Sequence, residues 1–219
     1  RSFNAVGDPD GRDLGAVRDR LVPDQEPPVG IPGSPLMHAT GYMFATSMLT
    51  QGGTVVTLPD RHFDVQSLLA TIEREGVTAM AIVGDAFARP ILEELEAAPQ
   101  RWELSSLQLL VSAGVMWSAE TKAGLARHLP DTLFVDLLGS TEAHGLGSSV
   151  SGAGSDPATA TFSLGAHAMV IDDDGNVLGP GGTGLLAVGG PGPVGYHKDP
   201  DKTAATFRTV AGQRGSVPG

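Results

Sequence analysis

Cysteine is absent from all 219 residues, which excludes a disulfide framework and any thiolate nucleophile or metal ligand, and fits a reducing compartment. Aromatic residues are few, at 5%. Lysine is scarcer still: Lys122, Lys198 and Lys202 are the only lysines among 14 basic residues. The formal net charge of -11 argues against polyanionic partners, so neither nucleic acid nor an anionic membrane surface is expected. No apolar run is long enough to span a bilayer and no signal-peptide pattern occurs, which makes a cytoplasmic location the expectation. Several motifs are missing as well. There is no G-x-x-x-x-G-K-[ST] phosphate loop and no G-x-S-x-G nucleophile elbow. Gly179–Gly184 and Gly190–Gly195 match G-x-G-x-x-G in letters. Neither follows a strand and opens a helix, so both read as turns.

What is present centres on Leu133–Gly147, LFVDLLGSTEAHGLG. Leu133–Leu138 reads as a strand buried on both faces of a parallel sheet, with Asp136 its one polar residue. It stops at Gly139-Ser140-Thr141-Glu142. Open α/β sheets bind ligands beyond the carboxyl ends of their strands. A glycine there admits a ligand close to the backbone, hydroxyls can bond phosphate, and a carboxylate can hold Mg²⁺. A strand followed by a plain polar turn is the alternative.

Before this stretch, strand and helix patterns alternate. Strands are predicted at Val29–Ile31, Thr54–Leu58, Val77–Val83 and Leu107–Val111. The intervening helices are an apolar one running to Leu49, one from Asp64 to Glu75, one begun by Asp85 with Pro90 in its first turns or at a kink, and one from Ser118 to His128. Leu14–Leu21 is a further short helix candidate. The alternation predicts an α/β fold, a mostly parallel sheet with helices on both faces. After it the pattern changes. Ser148–Thr161 is small and polar and reads as a linker. Gly165–Ile171 and Leu185–Val188 read as strands joined through an Asp172–Asn176 turn, and Asp199-Pro200 as the start of a helix to Phe207. The expected organisation is an α/β subdomain over 1–147, a linker over 148–161, and a small β-rich, barrel-like subdomain over 162–219.

Four stretches in one order carry a family resemblance: Pro35-Leu36-Met37-His38-Ala39-Thr40-Gly41; Ser112-Ala113-Gly114; Gly139-Ser140-Thr141-Glu142; and Gly184–Val188 continuing to Gly195–Thr203. The chain resembles the central part of the adenylate-forming superfamily, in its fatty-acyl-CoA synthetase branch. The resemblance implies an acid–thiol ligase that uses ATP, Mg²⁺ and CoA. A carboxylic acid, here a fatty acid, attacks the α-phosphate of ATP, and the acyl group then passes to the thiol of CoA. Charge gathers on that phosphate, so donors and a cation belong around it. By the resemblance Thr141 holds the α-phosphate, Glu142 is the Mg²⁺ carboxylate, and His38 lies near the reacting carboxylate. Ser112, Ala113 and Gly114 pack their backbone against adenine, and Asp136, Leu138, Gly139 and Ser140 complete the nucleotide site. His38 also reads as a helix-start histidine without a chemical role.

Two departures stand beside the matches. The family has an aromatic residue where this chain has Leu138, which can pack on a ring but not stack as an aromatic does. The Ser/Thr/Gly-rich phosphate loop, the ribose-binding aspartate and the lysine-bearing C-terminal domain of the family are not in the sequence, and Arg1 is not an initiator methionine. The chain therefore reads as the middle of an enzyme, inactive in isolation. A degenerate α/β module that binds an acyl group, a nucleotide or a protein partner is the alternative.

Overall fold

A computed structural model describes residues 26–59, 62–152, 159, 161–190 and 192–218. The helix candidate at Leu14–Leu21 lies outside them. The contacts divide the chain into two compact units, with the divisions after Val135 in one strand and after Val150 in the next. The first unit takes the residues up to Val135 together with Ser151, Gly152 and Thr159; the second takes Asp136–Val150 and the residues from Thr161 onward. The chain thus divides differently from the expected 1–147 and 162–219.

The first unit holds strands β1 (Val29–Pro32), β2 (Thr54–Val55), β3 (Ala79–Ile82) and β4 (Leu109–Ala113), and the start of β5 (Leu133–Leu138). Their order is β2-β1-β3-β4-β5, and the β1–β2, β1–β3 and β3–β4 pairs are parallel. Helices α1 (Ala39–Thr50), α2 (Val65–Glu75), α3 (Gly84–Ala97) and α4 (Ala119–His128) alternate with them. Successive strand residues point to opposite faces, and β1 shows what each face meets. A Cβ on Gly30 would run into Phe44 and Met48 of α1. Its neighbour Ile31 is buried in a core with Leu68, Leu69 and Ile72 of α2, Ile91 and Leu95 of α3, and Leu125 of α4. Helices therefore cover both faces, and all four residues of β3 are buried.

Local chemistry sets the helix ends. The Asp64 carboxylate accepts the Ser67 N–H at 2.9 Å and the Ser118 hydroxyl accepts that of Thr121 at 3.2 Å, as N-caps do. Gly76 ends α2 in the left-handed conformation, with φ 59. Pro90 lies inside α3, which continues to Ala97; the bond it cannot make belongs to the carbonyl of Ala86, an exposed residue that water can serve.

Four expectations need correcting. Asp85 does not cap its own helix: it sits within the first turn of α3, and its carboxylate accepts the Ser118 N–H at 3.0 Å, bracing the start of α4. Thr54–Leu58 is a strand only over Thr54–Val55, because β2 is an edge strand with β1 as its one neighbour, and Val56 and Leu58 turn into the core. β5 is not buried throughout. Phe134 and Asp136 are buried while Leu133 is exposed and the others are half-buried, the signature of one covered face. Ser148–Gly152, read as linker, belongs to strand β6 (Gly147–Gly152), since strand residence depends more on neighbours than on intrinsic propensity.

In the second unit the end of β5 is followed in order by β6 and then β7 (Ser163–Leu164), with β6 and β7 antiparallel. A separate antiparallel sheet has the order β10-β11-β9-β8, where β8 is Ala168–Ile171, β9 Leu185–Gly189, β10 Phe207–Val210 and β11 Gln213–Ser216. Ile171, Ala187, Val210 and Val217 form its core. Asp172 closes the expected turn by accepting both the N–H (2.8 Å) and the side-chain amide (3.0 Å) of Asn176. Helix α5 (Pro200–Thr206) begins as expected, with Asp199 accepting the Lys202 N–H at 3.0 Å. The β10–β11 hairpin turns on Ala211-Gly212, both at positive φ, the geometry two-residue hairpin loops favour.

Two substitutions test the first unit. The buried Ser112 hydroxyl at the end of β4 accepts the Gly84 N–H at 2.9 Å, tying the sheet to the start of α3. Ser112→Ala leaves that donor orphaned and is expected to cost about 1–3 kcal/mol in denaturant unfolding. Burial would raise the Asp85 carboxyl, but the Ser118 N–H and hydroxyl, Arg89 and Thr121 outweigh it and hold it below its ordinary 3.8. A depressed folded value means stabilisation that is whole above the unfolded value and lost as pH falls through the folded one. Asp85→Ala should cost about 1–2 kcal/mol near neutral pH, as a lost cap does. Its gap from wild type should narrow only below pH 3.8, which unfolding curves on either side of that pH would check.

Candidate functional site

The predicted site residues fall in both units. In the first, β4 ends at Ala113, and Gly114 leaves the strand at φ 95. The buried Ser112 hydroxyl is occupied by the Gly84 N–H, which leaves backbone and the half-buried Ala113 at the strand end. A Cβ on Gly114 would stand 3.9 Å from the Thr40 hydroxyl and 3.7 Å from Val83. The ends of β3 and β4 and the first turn of α1 therefore come together at the carboxyl side of the parallel strands, where an α/β sheet places a ligand.

His38 stands at the N-cap position of α1 but makes no side-chain cap; its backbone carbonyl accepts the Tyr42 N–H at 3.0 Å and its side chain is exposed. The apolar residues of α1 divide between two environments. Phe44 and Met48 are buried, whereas Tyr42, Met43 and Leu49 are exposed, as are Leu36 and Met37 before the helix.

In the second unit Asp136 is buried and Leu138 half-buried near the end of β5. The turn after it closes on itself. Ser140 N–H donates to the Ala143 carbonyl at 2.9 Å, and the Ser140 hydroxyl accepts the Ala143 N–H at 3.1 Å. Ser140 is thus used to build the turn, while Thr141 is exposed at its tip. Glu142 is half-buried, and its Oε1 accepts the Tyr196 hydroxyl at 2.6 Å. That bond, with a backbone contact, the Ser140 side chain and the positive charge of Lys202 behind it, outweighs the small effect of burial and holds the Glu142 carboxyl below its ordinary 4.5. The same bond to Glu142 raises the Tyr196 phenol above 10.0. At neutral pH the turn therefore carries an ionised carboxylate beside an exposed hydroxyl.

Tyr196 and Lys202 are the additions to the predicted set. Both stand in the fourth stretch of the resemblance, in Gly195–Thr203, but nothing local marks either as a partner of Glu142, which lies 54 positions before Tyr196. The Lys202 ammonium lies 4.3 Å from the centre of the Tyr196 ring.

A divalent cation fits this turn. Mg²⁺ commonly takes one or two carboxylates and completes its shell with phosphate oxygens and water. Among the described residues no cluster of three or more acidic or histidine side chains could hold an ion alone. Glu142 would supply a carboxylate to it, kept ionised by Tyr196.

Known proteins give this geometry its context. A medium/long-chain-fatty-acid–CoA/3-oxocholest-4-en-26-oate–CoA ligase of Mycolicibacterium smegmatis is 33% identical over 221 residues, covering 98% of this chain and 39% of that protein. The medium-chain acyl-CoA ligase Mig of Mycobacterium avium is 37% identical over 190 residues, covering 84% of this chain and 34% of its own length. The chain thus spans little more than a third of the curated relatives it matches. Among solved structures, the nonribosomal peptide synthetase FmoA3 superposes with a TM-score of 0.75 at 22% identity, over 93% of this chain and 23% of that one. The amide bond synthetase McbA of Marinactinospora thermotolerans does so with a TM-score of 0.70 at 23% identity, over 94% and 44%. These two establish likeness of fold. The profile of the AMP-binding enzyme family matches residues 19–196, and with strand ends, turn and relatives in agreement, the chain belongs to that family.

Proposed function

We propose that this chain carries part of the acyl and nucleotide sites of an ATP-dependent fatty-acyl-CoA ligase. The substrate carboxylate attacks the α-phosphate of ATP, its oxygen forming a new P–O bond as the bond to pyrophosphate breaks. The acyl group of the resulting acyl-AMP then moves to the sulfur of CoA, and AMP leaves. The observation that carries this reading is the ionised Glu142 beside the exposed Thr141 on the turn beyond β5. It is supported by the identity of 33% and 37% to acyl-CoA ligases over most of the chain.

In this reading Thr141 donates its hydroxyl to an α-phosphate oxygen, where negative charge gathers as pyrophosphate departs. Glu142 is the protein's carboxylate toward Mg²⁺, which when bound neutralises phosphate charge as a Lewis acid. Ala113 and Gly114 offer backbone and a methyl group to a flat base, a surface that fits adenine without side-chain donors. Leu138, on the second unit, is assigned to the nucleotide site by the resemblance; leucine can pack on a base but cannot stack on it as an aromatic ring does. His38, exposed before α1, is assigned to the neighbourhood of the reacting carboxylate. A role in fatty acid metabolism in the cytoplasm is part of the reading; among the described residues no helix is long and apolar enough to cross a membrane.

The test is ATP–pyrophosphate exchange with medium- and long-chain fatty acids, in the full-length protein that contains this chain. Thr141→Val removes one oxyanion donor at nearly constant volume and should slow exchange about 10²-fold or more. Glu142→Gln keeps the shape and still accepts from Tyr196, but loses the charge a hard cation prefers; exchange should fall strongly with little change in melting temperature. Normal exchange in both variants would refute these roles. Exchange absent from the wild-type protein with every fatty acid would favour a non-catalytic binding module instead.

A further inference from the structure

The segment Gly195–Thr203 is built to hold one phenol. The Tyr196 N–H donates to the Thr203 hydroxyl oxygen at 2.9 Å, and that hydroxyl donates to the Asp199 carbonyl at 2.6 Å. Asp199 in turn caps α5 through the Lys202 N–H at 3.0 Å. Gly195 makes the close approach possible: its φ is 152, and a Cβ there would stand 2.5 Å from the Thr203 methyl. The ring of Tyr196 leans on the buried Phe207, 5.7 Å between centres at 47°, and the Lys202 ammonium covers it. A half-buried tyrosine is thus constrained at its backbone, along its ring and at its hydroxyl. That hydroxyl makes a 2.6 Å bond to Oε1 of Glu142, on a turn 54 residues earlier in the chain.

The chemistry of a carboxylate gives this arrangement a use. Each oxygen has two lone pairs, so a donor on one oxygen leaves the other able to bind a cation. A glutamate on a turn otherwise samples several rotamers, and a fixed donor selects one of them. Groups that orient a metal ligand in this way commonly carry a tenfold or larger share of the metal affinity. The positive charge of Lys202 favours an ionised Glu142, while its ammonium lies over the Tyr196 ring.

We propose that Tyr196 is a positioning residue: held by Gly195, Thr203 and Phe207, its hydroxyl fixes the Glu142 carboxylate so that the second oxygen is presented to the divalent cation that accompanies ATP. This rests on the cation role given to Glu142 above. The spacing from Gly195-Tyr196 to Thr203 then has a physical meaning, since the threonine seven residues on holds the tyrosine backbone in place.

The test measures binding, not turnover. Mn²⁺ binding to the full-length protein in the presence of AMPPNP is followed by electron paramagnetic resonance, with thermal melts on the same preparations. Tyr196→Phe keeps the ring and its packing and should weaken Mn²⁺ binding about tenfold, with the lower melting temperature that the loss of one hydrogen bond to a carboxylate brings. Thr203→Val should weaken it less, and Thr203→Ser, which keeps the hydroxyl, should restore it. Mn²⁺ affinity in Tyr196→Phe that is unchanged or tighter overturns the proposal, because the bond would then be structural or would compete with the cation. A wild-type protein that binds no Mn²⁺ with AMPPNP overturns it equally. If the Mn²⁺ results are as expected but no fatty acid supports pyrophosphate exchange, the positioning role stands and the ligase reading falls.

Discussion

A parallel sheet has no side that can face water, and the first unit is arranged around that constraint. Residues alternate along β1, so Gly30 yields its face to Phe44 and Met48 while Ile31 enters the larger core on the other. Once helices must cover both faces, each connection crosses over and returns its chain to the same edge. Strand ends, glycines and helix starts accumulate there. The meeting of Gly114 with Thr40 follows from how the core is closed and needs no separate instruction.

The second unit solves a different problem. Its small antiparallel sheet has a modest core of Ile171, Ala187, Val210 and Val217, and polar contacts do much of the ordering around it. The Asp172–Asn176 turn, the cap on α5 and the Glu142–Tyr196 bond each tie segments that have little apolar surface to bury. A hydrogen bond to a charged acceptor contributes more than a neutral one. The carboxylate that serves the proposed chemistry is therefore also a brace between the turn after β5 and the start of α5.

What was legible in the sequence shares one property: its cause is local. Asp64, Ser118 and Asp199 cap helices because each reaches an N–H three residues away. The bounds of Leu133–Leu138 follow from an apolar run ended by Gly139. What escaped depends on distant partners. Asp85 has the composition of a cap, yet its acceptor serves Ser118, 33 residues on. The Ser148–Gly152 part of β6 has no strand composition and is a strand because its neighbours are. The hairpin at Ala211-Gly212 lacks the Asn-Gly that advertises such turns, although its glycine was a signal. At the site, Thr141 and Glu142 were marked by their position after a strand, whereas Tyr196 becomes visible only when the fold brings it to Oε1.

Ser112 carries one more consequence. Its side chain is fully buried, with its oxygen bound to the Gly84 amide. A molecule lying against the end of β4 thus meets a main-chain edge and a methyl group. Such a surface carries no long side chain of its own, and its donors and acceptors are main-chain groups fixed in place by the strand. Flat guests would be told from bulky ones there, and a polar guest would have to bring its groups to where the main chain already points.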